Sequence, residues 1–339
     1  LNIYYLSETK GNKRDAGSKA RNDVDDILKE QGYEPIYMLN KDESGKVKTG
    51  AMISSFLKQL SSVPKGSIII SQYPIYEKSV FVRFYLKWMK NHRAIKHVAI
   101  IHDINSLRAQ NKEKMIEEIK RLNVFDVCIS HNPKMTKWLL DNGLKSKIVN
   151  LGIFDYLIDS KEKKQYKKQE EDYTVCFAGN LAEDKSGFIY KLDKRIKLNL
   201  YGPYYSGEDK SRYKGCLKPE ELPSVLNEDF GLIWDGVSSK ECVGETGQYL
   251  KYNNPHKTSL YIASNLPIII WSKAAVADFV KEHNIGIVID SLDELYSKIF
   301  VIGTDEYMVM RKNIEKLREE LIRGNFTKKA LKEAIEALK

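Results

Sequence analysis

Two runs, Gly66-Ser67-Ile68-Ile69-Ile70 and Leu266-Pro267-Ile268-Ile269-Ile270-Trp271, constrain the fold more than anything else in the chain. Successive side chains of a strand point to opposite faces, so a run that is apolar at every position is buried on both. Isoleucine's stiff χ1 suits a strand as well. Both runs fall far short of the roughly 20 apolar residues that span a bilayer. Strands of this kind belong to a parallel sheet covered by helices on each side.

The rest of the chain supplies the helices. In the first half, strands are expected at 2–6, 67–71, 97–102, 126–130 and 147–150. Helices are expected at 16–31 (closed by Gly32), 80–91, 112–122 and 133–142, the last with Pro133 in its first turn and Gly143 at its end. The pattern then breaks at Asp159 to Asp172, where Lys161-Glu162-Lys163-Lys164-Gln165-Tyr166-Lys167-Lys168 carries five lysines against one glutamate. A second series follows, with strands at 173–178, 197–201, 230–234, 267–270 and 286–289. Its helices are expected at 219–226, 255–263, 274–282, and from 304 onward with a break at Gly324-Asn325. The expected organisation is therefore a first domain over 1–158, a lysine-rich linker over 159–172, a second domain over 173–322 and a terminal helix over 323–339. The fold class is α/β, two doubly wound, Rossmann-like domains facing across a cleft at the carboxyl ends of their strands.

A length of 339 residues suits two domains, and 42% hydrophobic with 30% charged residues is an ordinary soluble composition. The net charge of +9 is concentrated partly in the lysine segment. No nucleic-acid-binding motif accompanies it, so a solvated linker is the first reading and lysines laid on an anionic membrane surface the second. Leu1 to Lys10 lack the basic and apolar order of a secretory leader, which points to a cytoplasmic protein. The four cysteines, Cys128, Cys176, Cys216 and Cys242, show neither metal-ligand nor disulfide spacing.

Candidate chemistry gathers where strands run into loops. In Asn253-Asn254-Pro255-His256-Lys257-Thr258, Asn254 is a good N-cap and Pro255 a good first-turn residue, so a helix should open there. Its free N–H groups and the Lys257 ammonium together suit a diphosphate; an ordinary capped helix with an exposed lysine is the plainer alternative. Val175-Cys176-Phe177-Ala178-Gly179-Asn180 is a strand running into glycine and then polar residues, with Lys185 available as a second positive charge. Tyr201-Gly202-Pro203 forms a similar loop and adds an aromatic that could stack on a base. In the first half, Gly17 and Ser18 open a helix without a G-x-G-x-x-G fingerprint. His102 and Asp103 end a strand, where an acid/base pair could work, with Arg108 available to an anion. The one D-x-D triplet, Asp23-Val24-Asp25, falls inside a helix where the two carboxylates point to different faces. Walker loops, nucleophile elbows and metal-ligand spacings are missing from the sequence.

These residues, taken in order, carry a resemblance. Ala16-Gly17-Ser18 through Asn22, the helix ending at Gly32-Tyr33, Ile101-His102-Asp103, Phe177-Ala178-Gly179-Asn180, Phe230-Gly231-Leu232-Ile233-Trp234-Asp235 and the stretch from Tyr249 to Ala263 resemble the GT-B glycosyltransferases of Gram-positive bacteria. Within that group the similarity is greatest to the accessory glucosyltransferases that extend O-linked GlcNAc on serine-rich repeat adhesins, and to the related galactofuranosyltransferases. The resemblance implies transfer of a hexosyl unit, glucose first, from a UDP-sugar to a glycan acceptor on a serine-rich glycoprotein. It implies a nucleotide-sugar site at Gly17, Ser18, Gly179, Asn180, Lys185, Tyr201, Tyr249, Asn254, Lys257 and Thr258, and catalysis by His102, Asp103 and Lys257. It further implies a homo-oligomer, a return of the terminal helix over 323–339 to the first domain, and no metal or other cofactor. Galactofuranosyl transfer and a silent UDP-sugar-binding partner of a glycosylation complex are the alternatives.

Overall fold

The computed structural model describes residues 1–7, 16–37, 49–76, 79–158 and 172–339. All of the lysine-rich segment except Asp172 lies outside the described residues. Two compact units emerge. The described residues within Leu1–Lys13, Ala20–Gly152 and Thr327–Lys339 form the first, and those within Arg14–Lys19 and Ile153–Phe326 the second.

In the first unit, β1 (Ile3–Ser7), β2 (Glu34–Tyr37), β3 (Ile68–Tyr73), β4 (Lys96–Ile101), β5 (Val127–Ser130) and β6 (Lys147–Asn150) form one sheet in the order β2-β1-β3-β4-β5-β6. All its pairings are parallel, and Ile70 lies opposite both Tyr5 and Val98. The isoleucine run is buried on both faces, as a doubly covered sheet requires. The strand order reverses between β1 and β3, so the crevice of this unit opens there. Sequence punctuation sets the helix ends well. Asn132 accepts from the amides of Lys134 and Met135, both at 3.0 Å, and Pro133 opens the helix Pro133–Asp141. Gly143 beyond it has φ of +95°, a conformation that glycine adopts freely.

In the second unit, β7 (Thr174–Ala178), β8 (Lys197–Tyr201), β9 (Tyr213–Gly215), β10 (Phe230–Ile233), β11 (Ile268–Trp271) and β12 (Gly286–Ile289) run in the order β12-β11-β10-β7-β8-β9, again all parallel. Renumbered from β7, this is the 3-2-1-4-5-6 order of a dinucleotide-binding sheet, with its switch point between β7 and β10. The helix Thr304–Leu321 packs into this unit. After Gly324, at φ +75°, the helix Asn325–Ala337 begins, most of which is grouped with the first unit. There Lys328 pairs with Glu30 at 2.9 Å and Lys147 donates to the Ala337 carbonyl at 2.5 Å.

Several elements depart from the sequence reading for local reasons. The strand β2 contains Pro35, which argues against a strand, but it sits at a sheet edge where one missing donor is tolerated. The helix expected over 219–226 contracts to Leu222–Val225, because Pro223 can take only a first-turn place. The helices Thr49–Ser61 and Gly244–Tyr249 and the short edge strand β9 carry no pattern strong enough to announce them.

Candidate functional site

The second unit's crevice assembles one site from three segments far apart in sequence. The first is the turn after β7. Gly179 donates to the Tyr201 carbonyl at 2.9 Å, and Asn180 Oδ1 accepts from the Ala182 amide at 2.9 Å, which shapes the turn toward Lys185. The second is the turn after β10, where Asp235 is followed by Gly236 at φ +108°. Gly236 donates to the Lys185 carbonyl at 2.9 Å, so the two turns are tied together across the switch point.

The third segment is the helix His256–Ala263. Its opening differs from the expectation. The boundary residue is Pro255, with ψ of 132°, and no side chain caps the helix. Asn254 is buried one residue earlier and is not the N-cap, since Pro255 stays extended and delays the helical turn. The Thr258 amide bonds the Pro255 carbonyl at 2.9 Å. The amides of His256 and Lys257 precede the first i→i−4 bond and remain open to a ligand.

Lys257 is where the three segments meet. Its Nζ lies 3.2 Å from Asp235 Oδ1 and 5.0 Å from the centre of the Phe177 ring, and its side chain is 19% exposed. Its stem passes over Gly179 so closely that a β-carbon there would meet Cε at 2.9 Å. Thr258 follows, fully buried, and its hydroxyl has no hydrogen-bond partner among the described residues. A cation, open amides and a bare glycine backbone at one helix start make this place a candidate anion cradle, with the chemistry that would suit a diphosphate.

Other candidates fall differently. Lys185 is exposed on the tied turn and makes no ion pair with a described residue. Tyr201 is turned into the core, 6% exposed, with its hydroxyl on Glu228 at 2.8 Å; it has no free ring face for a base, because β8 carries it inward. Tyr249 is likewise buried. Gly17 and Ser18 belong to the second unit's grouping. Beside them, Lys19 donates to the Leu157 carbonyl at 2.6 Å and stands 4.5 Å over the Tyr156 ring. Tyr156 in turn stacks on His256, whose centroid is 4.9 Å away. Burial and the Lys19 charge push the His256 pKa down to about 3, so this imidazole is neutral.

His102 and Asp103 lie in the first unit, at the carboxyl end of β4. Asp103 is paired with Arg108, and the His102 amide donates to the Tyr73 carbonyl at 2.7 Å. Nearby Glu118 is buried and accepts from the Ser106 amide at 2.8 Å and from the Tyr73 hydroxyl at 3.3 Å. His131 at the end of β5 is driven down to about 3 by burial, against hydrogen bonds to the backbone of Ile101 and His102. The D-x-D carboxylates are absorbed into the fold: Asp25 accepts from Gln72 at 2.6 Å and from Ser7 at 3.2 Å. No metal-ligand cluster occurs among the described residues. Nor is any helix among them long and apolar enough to cross a membrane.

Sequence reasoning singled out Lys257 and Gly179 but gave Asp235 no role. The Trp234-Asp235-Gly236 ending of an apolar strand was the available signal, a polar residue and a glycine at a strand's carboxyl end.

The two all-parallel, doubly wound units have the GT-B architecture, and the family matches make the chain a glycosyltransferase. Residues 3–153 match the family model for the glucosyltransferase 3-like N-terminal domain, and residues 175–334 the C-terminal one. The chain belongs to the glucosyltransferase 3-like family. It is 33% identical to the beta-1,6-galactofuranosyltransferase WbbI of Escherichia coli over 99% of each chain. It is 26% identical to glucosyltransferase 3 of Streptococcus gordonii over 93% of each. Among solved structures, Anabaena HepE in complex with UDP and glucose superposes with a TM-score of 0.60 at 10% identity, covering 98% of each chain.

Proposed function

We propose that the protein transfers a hexosyl unit from a UDP-sugar to a hydroxyl of a glycan acceptor. The observation that carries this reading is the meeting of Lys257, the open first-turn amides and the Gly179 backbone at the β7/β10 switch point. That HepE, of the same fold, was solved with UDP and glucose supports UDP as the ligand of the cradle. In the transfer, the bond between the anomeric carbon and the diphosphate oxygen breaks and its electron pair leaves with UDP. The acceptor oxygen forms the new bond, and its proton is released to solvent in the net reaction. Lys257 and the helix start face the charge that develops on the leaving phosphate, the interaction with most leverage on such a barrier. No metal ion is invoked. Lys185 is the second cation of the site, with Gly179, Asn180, Thr258, Gly17 and Ser18 around the donor.

The family model and the streptococcal glucosyltransferases favour glucose as the donor sugar; O-linked GlcNAc on a serine-rich glycoprotein is the acceptor that the sequence resemblance implies. A second reading, galactofuranosyl transfer to a cell-surface polysaccharide, is favoured by the greater identity to WbbI. UDP release from UDP-glucose and UDP-galactofuranose, each with a GlcNAc-bearing peptide or an oligosaccharide acceptor, tests both. Acceptor-dependent release from one donor supports the corresponding reading. UDP binding without release from any donor indicates a binding partner and removes the enzymatic proposal.

A further inference from the structure

Asp235 is largely enclosed. Its side chain is only 12% exposed, and Oδ1 bonds the Lys257 ammonium at 3.2 Å. Behind it, the missing side chain of Gly247 lets the helix Gly244–Tyr249 approach, for a β-carbon there would lie 2.9 Å from the Asp235 carbonyl oxygen. Ahead of it, Gly236 is bound to Lys185. Oδ2 accepts a hydrogen bond from no described residue. A carboxylate with one oxygen engaged inside the site and the other open can take a donor that a ligand supplies in place of water.

Lys257 fixes what that donor can be. The ammonium that would receive the diphosphate is the same one that clamps Oδ1, so Oδ2 lies a few ångströms from the diphosphate's place. A phosphate oxygen is itself an acceptor and cannot satisfy a carboxylate. The group attached to the diphosphate in a nucleotide-sugar is a ring carrying hydroxyls, and hydroxyls donate. We propose that Asp235 Oδ2 accepts a hydroxyl of the donor sugar, making Asp235 a specificity residue that reads the sugar while Lys257 reads the diphosphate. The assignment rests on the UDP-sugar reading of the cradle.

The test compares UDP with intact UDP-sugars in the absence of acceptor, using the parental protein and D235N, which preserves shape while removing the charge. In the parental protein, UDP-glucose or UDP-galactofuranose should bind more tightly than UDP, and one member of a set of UDP-deoxysugars should lose about tenfold in affinity, as expected for a hydrogen bond to a charged group. In D235N, UDP should bind within about threefold of parental or more tightly, since a negative charge has left the cradle, while that deoxysugar penalty disappears. Equal weakening of UDP and UDP-sugar in D235N would overturn the proposal by making Asp235 a support for Lys257 alone. A deoxysugar penalty that persists unchanged in D235N would overturn it too. Failure of the parental protein to bind UDP at all would instead remove the cradle reading, and this assignment with it. Circular dichroism and thermal unfolding confirm that D235N is folded, and the deoxysugar series on the parental protein alone must still show the tenfold loss.

Discussion

Gly202 comes so close to Gly179 that a β-carbon on Gly202 would lie 1.8 Å from the Gly179 carbonyl oxygen. The two turns after β7 and β8 are thus packed backbone to backbone, and Gly202 holds φ of +141°, where a side chain is strained. G202A should therefore unfold several degrees lower, at a cost of about 2 kcal/mol or more. G179A should behave differently. Its new methyl crowds the end of the Lys257 side chain and otherwise meets the Phe177 ring at an ordinary 3.5 Å, so the unfolding temperature should hold while UDP affinity falls about tenfold as the ammonium is displaced. Thermal unfolding and calorimetric UDP titration of the two variants, side by side, check the contrast.

Removal of the Lys257 ammonium should be felt in turnover more than in folding. K257M keeps the apolar stem over Phe177 and takes away the charge that the proposed mechanism sets against the leaving phosphate. A loss of about a hundredfold in kcat/KM for UDP-sugar is expected, the scale of one preorganised donor to a developing anion. Steady-state UDP release measures it, and unchanged kinetics would take Lys257 out of the site.

The Thr258 hydroxyl is buried without a partner among the described residues, which is costly in a resting protein and useful in a binding site. T258V retains the shape. Stability should stay level or rise by about 1 kcal/mol, while UDP affinity drops several-fold. Urea unfolding and UDP titration give the two numbers, and a stability loss with intact affinity would return Thr258 to the core.

Acid should destabilise the protein through histidines that are buried neutral. His97 is 2% exposed, with neither ring nitrogen hydrogen-bonded, and burial lowers its pKa to about 4. A folded pKa below the unfolded one means that the unfolded chain binds more protons between the two values. The stability is therefore complete above pH 6.5 and is lost as the pH falls toward 4, with about 2 kcal/mol gone at pH 5 from His97 alone. His131 and His256, near pKa 3, act in the same direction. Unfolding free energies at pH 7.5 and 5 should show a smaller difference in H97F than in the parental protein.

The isoleucine runs, the glycine stops at Gly32 and Gly143 and the helix beginning near Pro255 were legible in the chain because local forces set them. Burial on both faces writes an apolar run, and a left-handed turn calls for glycine. Part of the site was legible for the same reason: Gly179 ends a strand and Lys257 sits in the first turn of a helix. The partnership of Lys257 with Asp235, 22 positions away, was not, nor was the inward turn of Tyr201. Both depend on which strand lies beside which. That β10 rather than β8 flanks β7 on its crevice side is a result of long-range packing, in which whole layers compete to bury their apolar faces, and no local pattern records the outcome. The residues therefore declared their separate propensities, while the sheet order chose which of them would face one another.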